Sequence, residues 1–209
     1  MRRFGFGAET DLFLTFRTNK MTGKTHRIIG LVVGGSYFLS AVKPEYQPAT
    51  LGAVIIASYL GSLMPDADDA GADIWSTLPF GHTVGKISDP ILKHRNLSHS
   101  FMGLAIFGCL VYLILQSFPG YWNIAIMPVL IASVVAYTSH LLSDSFTIQG
   151  IPIFWPWKRN FGIPPKPLDG IRVETGKWFE NLLLFPLLNI ILFIIIWTNW
   201  ETIRSYIYK

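Results

Sequence analysis

Five apolar blocks separated by polar segments constrain this chain more than any other feature of its sequence. They cover 28–42, 49–64, 101–118, 122–142 and 182–200. A helix needs about 20 apolar residues to cross a bilayer, and the last three blocks meet that length. The first two are shorter and contain Gly30, Gly34, Gly35, Gly52 and Gly61. They read as short spans, re-entrant helices, or helices packed closely on the others, because small residues let helix backbones approach. Pro119-Gly120-Tyr121 marks a tight turn, so the third and fourth blocks form a helical hairpin. The segments 65–100 and 147–178 are long, polar, and rich in Gly and Pro. The expected fold is all-α: a polytopic membrane bundle of about five hydrophobic helices with long cytoplasmic loops.

Composition supports a bilayer as solvent. Apolar residues make up 51% of the chain and charged residues 14%, where a soluble domain carries roughly 25% charged. The net charge of +4 would ordinarily suggest nucleic acid. Here the basic residues sit between apolar blocks and read as topology signals, so no nucleic acid is expected. Residues 1–20 read as a weakly structured N-terminal extension without the apolar core of a signal peptide. Residues 21–209 read as a single membrane-embedded helical domain. Cys109 is the sole cysteine, which excludes an internal disulfide and leaves nitrogen and oxygen as the ligands for any metal.

If all five blocks span, the segments 1–27, 65–100 and 143–181 share one side. They hold 14 of the Lys and Arg residues, against 3 on the other side. The positive-inside rule puts these loops in the cytoplasm, with membrane lipids as the protein's surroundings. The stretch from Ile153 to Arg159 mixes Phe154, Trp155 and Trp157 with Lys158 and Arg159, a composition suited to lying along that surface.

The ionisable residues gather on the same face. His26 starts the first helix. Asp66, Asp68 and Asp69 end the second. His94 and His99 precede the third, and His140 and Asp144 close the fourth. His140 and Asp144 are spaced i to i+4 and share a helix face, which Ser133, Tyr137 and Ser143 extend as a polar stripe. Such groups are costly in a membrane helix and turn towards a bundle interior or cavity. Imidazole with carboxylate suits a divalent ion, zinc or manganese above all, and such an ion can activate water near neutral pH. Taken singly, each residue has a structural reading: an interfacial His, a helix-ending Asp after Pro65, a solvated acidic loop, or a hydrogen-bonded His140–Asp144 pair.

The pieces Thr25-His26 with Gly30, Met64-Pro65-Asp66-Ala67-Asp68, His94-Arg95-Asn96-Leu97-Ser98-His99-Ser100, and Ser139-His140-Leu141-Leu142-Ser143-Asp144 with Thr147, Gly150 and Pro156 stand in one order. In that order the chain resembles the YdjM-like family of inner-membrane metal-dependent hydrolases over roughly residues 21–157. The family often has Leu, Gly and Thr where this chain has Met64, Asn96 and Ser98. None of these changes removes a proposed ligand. The resemblance implies a metal site of His26, Asp66, Asp68, His94, His99, His140 and Asp144. Asp68 and Arg95 are the candidate catalytic residues, and Arg95 has the guanidinium fork to hold an anionic group. The implied function is hydrolysis of a lipid or phosphoester at the inner face of the membrane. The alternatives are a transporter or proton relay through the His/Asp cluster, and a non-catalytic membrane protein stabilised by metal.

Overall fold

The computed structural model describes residues 22–208, apart from 42, 44, 70, 78, 80, 82, 84, 86–96, 119, 158 and 175. The proposed extension over 1–20 lies outside the described residues, as do His94 and Arg95. The helices are α1 (Gly23–Ala41), α2 (Pro48–Leu63), α3 (Asp73–Thr77), α4 (Phe101–Gln116), α5 (Ile126–Ser145), α6 (Phe185–Thr198) and α7 (Trp200–Ile207). Among the described residues there is no strand, only the isolated bridges Thr147–Val173 and Ile151–Phe161.

All five apolar blocks are helical, so the protein is an all-α bundle. Among the described residues, three helical stretches are long and apolar enough to cross a membrane: Pro48–Asp68, Ile126–Ser145 and Phe179–Thr198. The sequence lengths had favoured 101–118 over 49–64. In the structure α4 is only 16 residues long, whereas α2 is prolonged by a 3-10 turn over Met64–Asp68. Pro65 has no N–H to donate, and the helix tightens there without ending. Pro186 has a comparable effect on the last block, where a π-helical turn over Phe179–Leu184 leads into α6. No residue of α6 is buried, and Leu187, Ile190, Phe193 and Trp197 all face outward. On a soluble protein such a helix would be an aggregation hazard. In a bilayer it is an ordinary lipid-facing surface.

Helices α1, α2 and α5 pack on one another as the centre of the bundle, α4 lies on α5, and α6 lies on α1. The central contacts follow a four-residue repeat, which keeps residues on one helix face. His26, Gly30, Gly34 and Phe38 are buried on α1, Thr50, Val54, Ser58 and Ser62 on α2, and Val129, Ser133, Ala136, His140 and Asp144 on α5. Small residues set the spacing. A Cβ on Gly34 would sit 2.1 Å from Ser58 Oγ, and one on Gly61 would sit 2.6 Å from the Ser133 carbonyl oxygen. Larger side chains at these crossings would push the backbones apart. One end of this core is apolar, with Phe38, Val54, Val129 and Ala132. The ionisable residues lie at the other.

Two loops close over the polar end. Residues 97–100 turn into α4, which Ser100 caps by accepting the Gly103 N–H at 3.1 Å. The Tyr137 hydroxyl donates to the Ser98 carbonyl and ties this turn to α5. The loop after α5 folds back on the bundle, where the Phe101 N–H reaches the Ile153 carbonyl at 3.0 Å and Ile151 is fully buried.

Candidate metal centre

The repeats that pack the three central helices also bring their polar ends together. His26 enters from the first turn of α1, Asp66 from the 3-10 turn after α2, His99 from the turn before α4, and His140 and Asp144 from successive turns of α5. His26 Nε2 lies 3.4 Å from Asp144 Oδ1. His99 Nε2 is 3.6 Å from both Asp66 Oδ1 and Asp144 Oδ2. His140 Nε2 is 3.9 Å from Asp66 Oδ2 and from Asp144 Oδ2. The His26 and His140 rings stack with centroids 3.7 Å apart, and His99 meets His140 edge-on at 5.4 Å. The four side chains other than Asp66 are 0–1% exposed, and Asp66 is 13% exposed.

The outer nitrogen of each imidazole is fixed. His140 Nδ1 lies 2.7 Å from the Ser62 carbonyl oxygen. A carbonyl only accepts, so Nδ1 carries the proton. His99 Nδ1 lies 3.0 Å from Ser98 Oγ, and that hydroxyl gives its own proton to Asp68 Oδ2 at 2.5 Å. His26 Nδ1 lies 3.1 Å from Ser143 Oγ, which donates to the His140 carbonyl at 2.9 Å. Both hydroxyls are thus acceptors towards their histidines. A neutral imidazole protonated at Nδ1 presents a lone pair at Nε2, so three lone pairs point inward at two carboxylates.

That donor set fits a divalent ion. Nitrogen and oxygen acceptors facing one another in a buried space repel unless a positive charge lies between them. Nε2 of His26 and of His140 are buried without a hydrogen bond among the described residues. Separations of 3.4–3.9 Å exceed hydrogen-bond length. They match the roughly 3–4 Å between ligands that each sit about 2 Å from a shared ion. Two groupings converge well enough to hold one: His26, Asp66 and His140, and His99, His140 and Asp144. His140 belongs to both. Holding the far ring nitrogen with a carbonyl or hydroxyl is how metal-binding histidines are usually oriented.

Five of the seven expected ligands therefore meet. Asp68 is fully buried and accepts Ser98 Oγ, which makes it a support for His99. It belongs to neither grouping. The expected roles of His94 and Arg95 fall outside the described residues. Glu180 is a residue that sequence reasoning missed. It is buried, and it accepts the Thr22 N–H at 2.8 Å, the Thr25 hydroxyl at 2.7 Å and the Gly176 N–H at 2.6 Å. It thereby clamps the start of α1, beside His26, to the entry of the last span. The available signal was a lone carboxylate just ahead of an apolar block.

A family described as YdjM inner membrane protein matches residues 21–202. The chain is 32% identical over 183 residues to the inner membrane protein YdjM of Escherichia coli (strain K12), across 86% of this chain and 82% of that protein. The protein of the same name from Shigella flexneri gives the same figures. The uncharacterized protein YvsG of Bacillus subtilis (strain 168) is 24% identical over 164 residues, across 78% of this chain and 88% of its own length. No solved structure matches.

Proposed function

The chain belongs to the YdjM inner membrane protein family, and from that premise we propose that it is a membrane-bound metal-dependent hydrolase. Its substrate is a lipid or phosphoester, and it works at the inner face of a membrane that it crosses several times, with the metal-site loops in the cytoplasm. The excess of Lys and Arg on those loops supports this orientation. One observation carries the reading: three histidine Nε2 lone pairs, each fixed from behind at Nδ1, face two buried carboxylates.

His26, Asp66, His99, His140 and Asp144 would hold the ion. Ser62, Ser98 with Asp68, and Ser143 keep the rings turned inward. His94 completes the ligand set implied by the family resemblance, and Arg95 is the candidate for binding an anionic group. When bound, a divalent ion supplies Lewis-acid polarisation of an ester oxygen and activation of water near neutral pH. The burial of four ligand side chains keeps competing water away, and the partial exposure of Asp66 leaves one approach. A relay across the membrane would need ionisable groups through the bundle. The far end of the described core is instead Phe38, Val54, Val129 and Ala132.

Elemental analysis of the protein purified in detergent tests the metal. Zinc or manganese is expected at no less than one ion per chain, with loss in His140→Ala. Hydrolysis of a phosphoester panel, abolished by chelation and restored by the same metal, tests the activity. A wild-type protein free of metal, behaving identically to His140→Ala, would sink the reading.

A further inference from the structure

The side chain of Asp66 is 13% exposed, whereas those of His26, His99, His140 and Asp144 are 0–1% exposed. Asp66 forms part of the wall of a cavity of about 360 Å³ between the start of α1, the Met64–Asp68 turn and α3. The wall also carries Lys24 and Arg27. They are three positions apart on α1 and share a face, while His26 between them is buried in the centre.

The donors of these cations are not exhausted. An arginine has five N–H groups. Arg27 directs Nε to the Gly23 carbonyl at 3.3 Å, Nη1 to the Tyr59 hydroxyl at 3.2 Å and Nη2 to Asp73 at 3.1 Å. Two N–H groups remain. Lys24 has three; it gives one to Asn181 at 2.8 Å and lies 5.0 Å from the centre of the Phe185 ring, so its donors are not all taken. The wall also carries Asp66, Asp69 and Asp73, so carboxylates outnumber the two cations there, and what each acid is engaged with decides whether an anion can enter. Asp69 accepts the Gly71 N–H at 2.9 Å. Asp73 has a side chain 46% exposed, so its bond to Arg27 is a solvent-screened pair that an incoming dianion can displace.

We propose that this cavity is the entrance to the metal centre, and that Lys24 and Arg27 bind the phosphoryl oxygens of the substrate in it. The inference rests on the hydrolase reading for any reaction after binding, while anion recognition is a property of α1 itself. The fork of Arg27 matches two oxygens of a phosphate, and Lys24 adds a point charge beside it. The substrate class is a phosphomonoester or phosphodiester, drawn phosphoryl-first towards Asp66. A lipid headgroup and a water-soluble phosphoester share that chemistry.

The test uses the full chain in detergent, with metal content measured on every sample. Inorganic phosphate is titrated calorimetrically, and native mass spectrometry compares retention of phosphatidic acid with that of phosphatidylcholine. The K24Q/R27Q double variant should weaken phosphate binding at least tenfold with its metal content intact. Asp73→Asn, which removes the competing carboxylate, should tighten it. Selective retention of phosphatidic acid, lost in the double variant, supports the site with a lipid headgroup as ligand. Binding of inorganic phosphate without phosphatidic acid supports it with a soluble ester. Phosphate binding that is absent in the wild type, unchanged in the double variant, or weakened in Asp73→Asn overturns the proposal. A metal-free wild type that still binds phosphate through Lys24 and Arg27 would keep this site and remove the hydrolase reading.

Discussion

Ser98→Ala isolates how much the support behind a ligand matters. Ser98 Oγ is 2.5 Å from Asp68 Oδ2 and 3.0 Å from His99 Nδ1, so the variant removes one hydroxyl that both accepts and donates. It leaves all five converging ligand side chains in place. The Tyr137 hydroxyl still reaches the carbonyl of residue 98, so the turn into α4 keeps its tether. His99 loses the partner that fixes its tautomer and ring plane. Loss of such an outer hydrogen bond typically weakens metal binding by 10–100-fold, which is about 1.4–2.7 kcal/mol. Competition with a chromophoric chelator on detergent-purified protein measures it directly. Ser98→Thr keeps the hydroxyl and should retain wild-type affinity. The reasoning fails if Ser98→Ala binds metal as tightly as wild type while His140→Ala does not. It fails equally if Ser98→Thr and Ser98→Ala lose the same amount.

Gly61→Ala places a methyl 2.6 Å from the Ser133 carbonyl. The overpacked crossing should cost roughly 1–3 kcal/mol, read as a lower melting temperature in detergent. Glu180→Ala removes the acceptor for Thr22, Thr25 and Gly176, a loss of about 1–3 kcal/mol for groups left without a partner, and thermal melting should again show it. Ile190→Arg lies on α6 with its side chain outward. An insertion assay of that segment should show a penalty of about 3–4 kcal/mol, whereas an unchanged insertion would argue against a lipid-facing helix.

The parts of this fold legible in the sequence were those set by local repeats. Blocks of apolar residues gave the helices, and the i to i+4 spacing of His140 and Asp144 put both on the inward face of α5. The meeting of four chain segments was also within reach, because alternating spans must return their ends to one side. Asp66 and Asp68 could not be told apart. Both follow Pro65, and only the tightened 3-10 turn sends one to the histidines and the other to Ser98. Ser62 was invisible because its contribution is a backbone carbonyl. Glu180 was missed for a different reason. Two of its partners, Thr22 and Thr25, lie 155–158 residues away in the chain, and a lone carboxylate ahead of an apolar block does not say which residues it will meet.

The five converging side chains come from four stretches of chain that are otherwise held side by side by small-residue packing. Two buried carboxylates at that junction are costly at low dielectric unless a cation or a proton offsets them. An ion placed there would act as a cross-link as much as a reagent. Starved of metal, the protein would loosen first at these converging helix ends and be offered to membrane proteases. Its abundance in the cell would then track the supply of divalent cation.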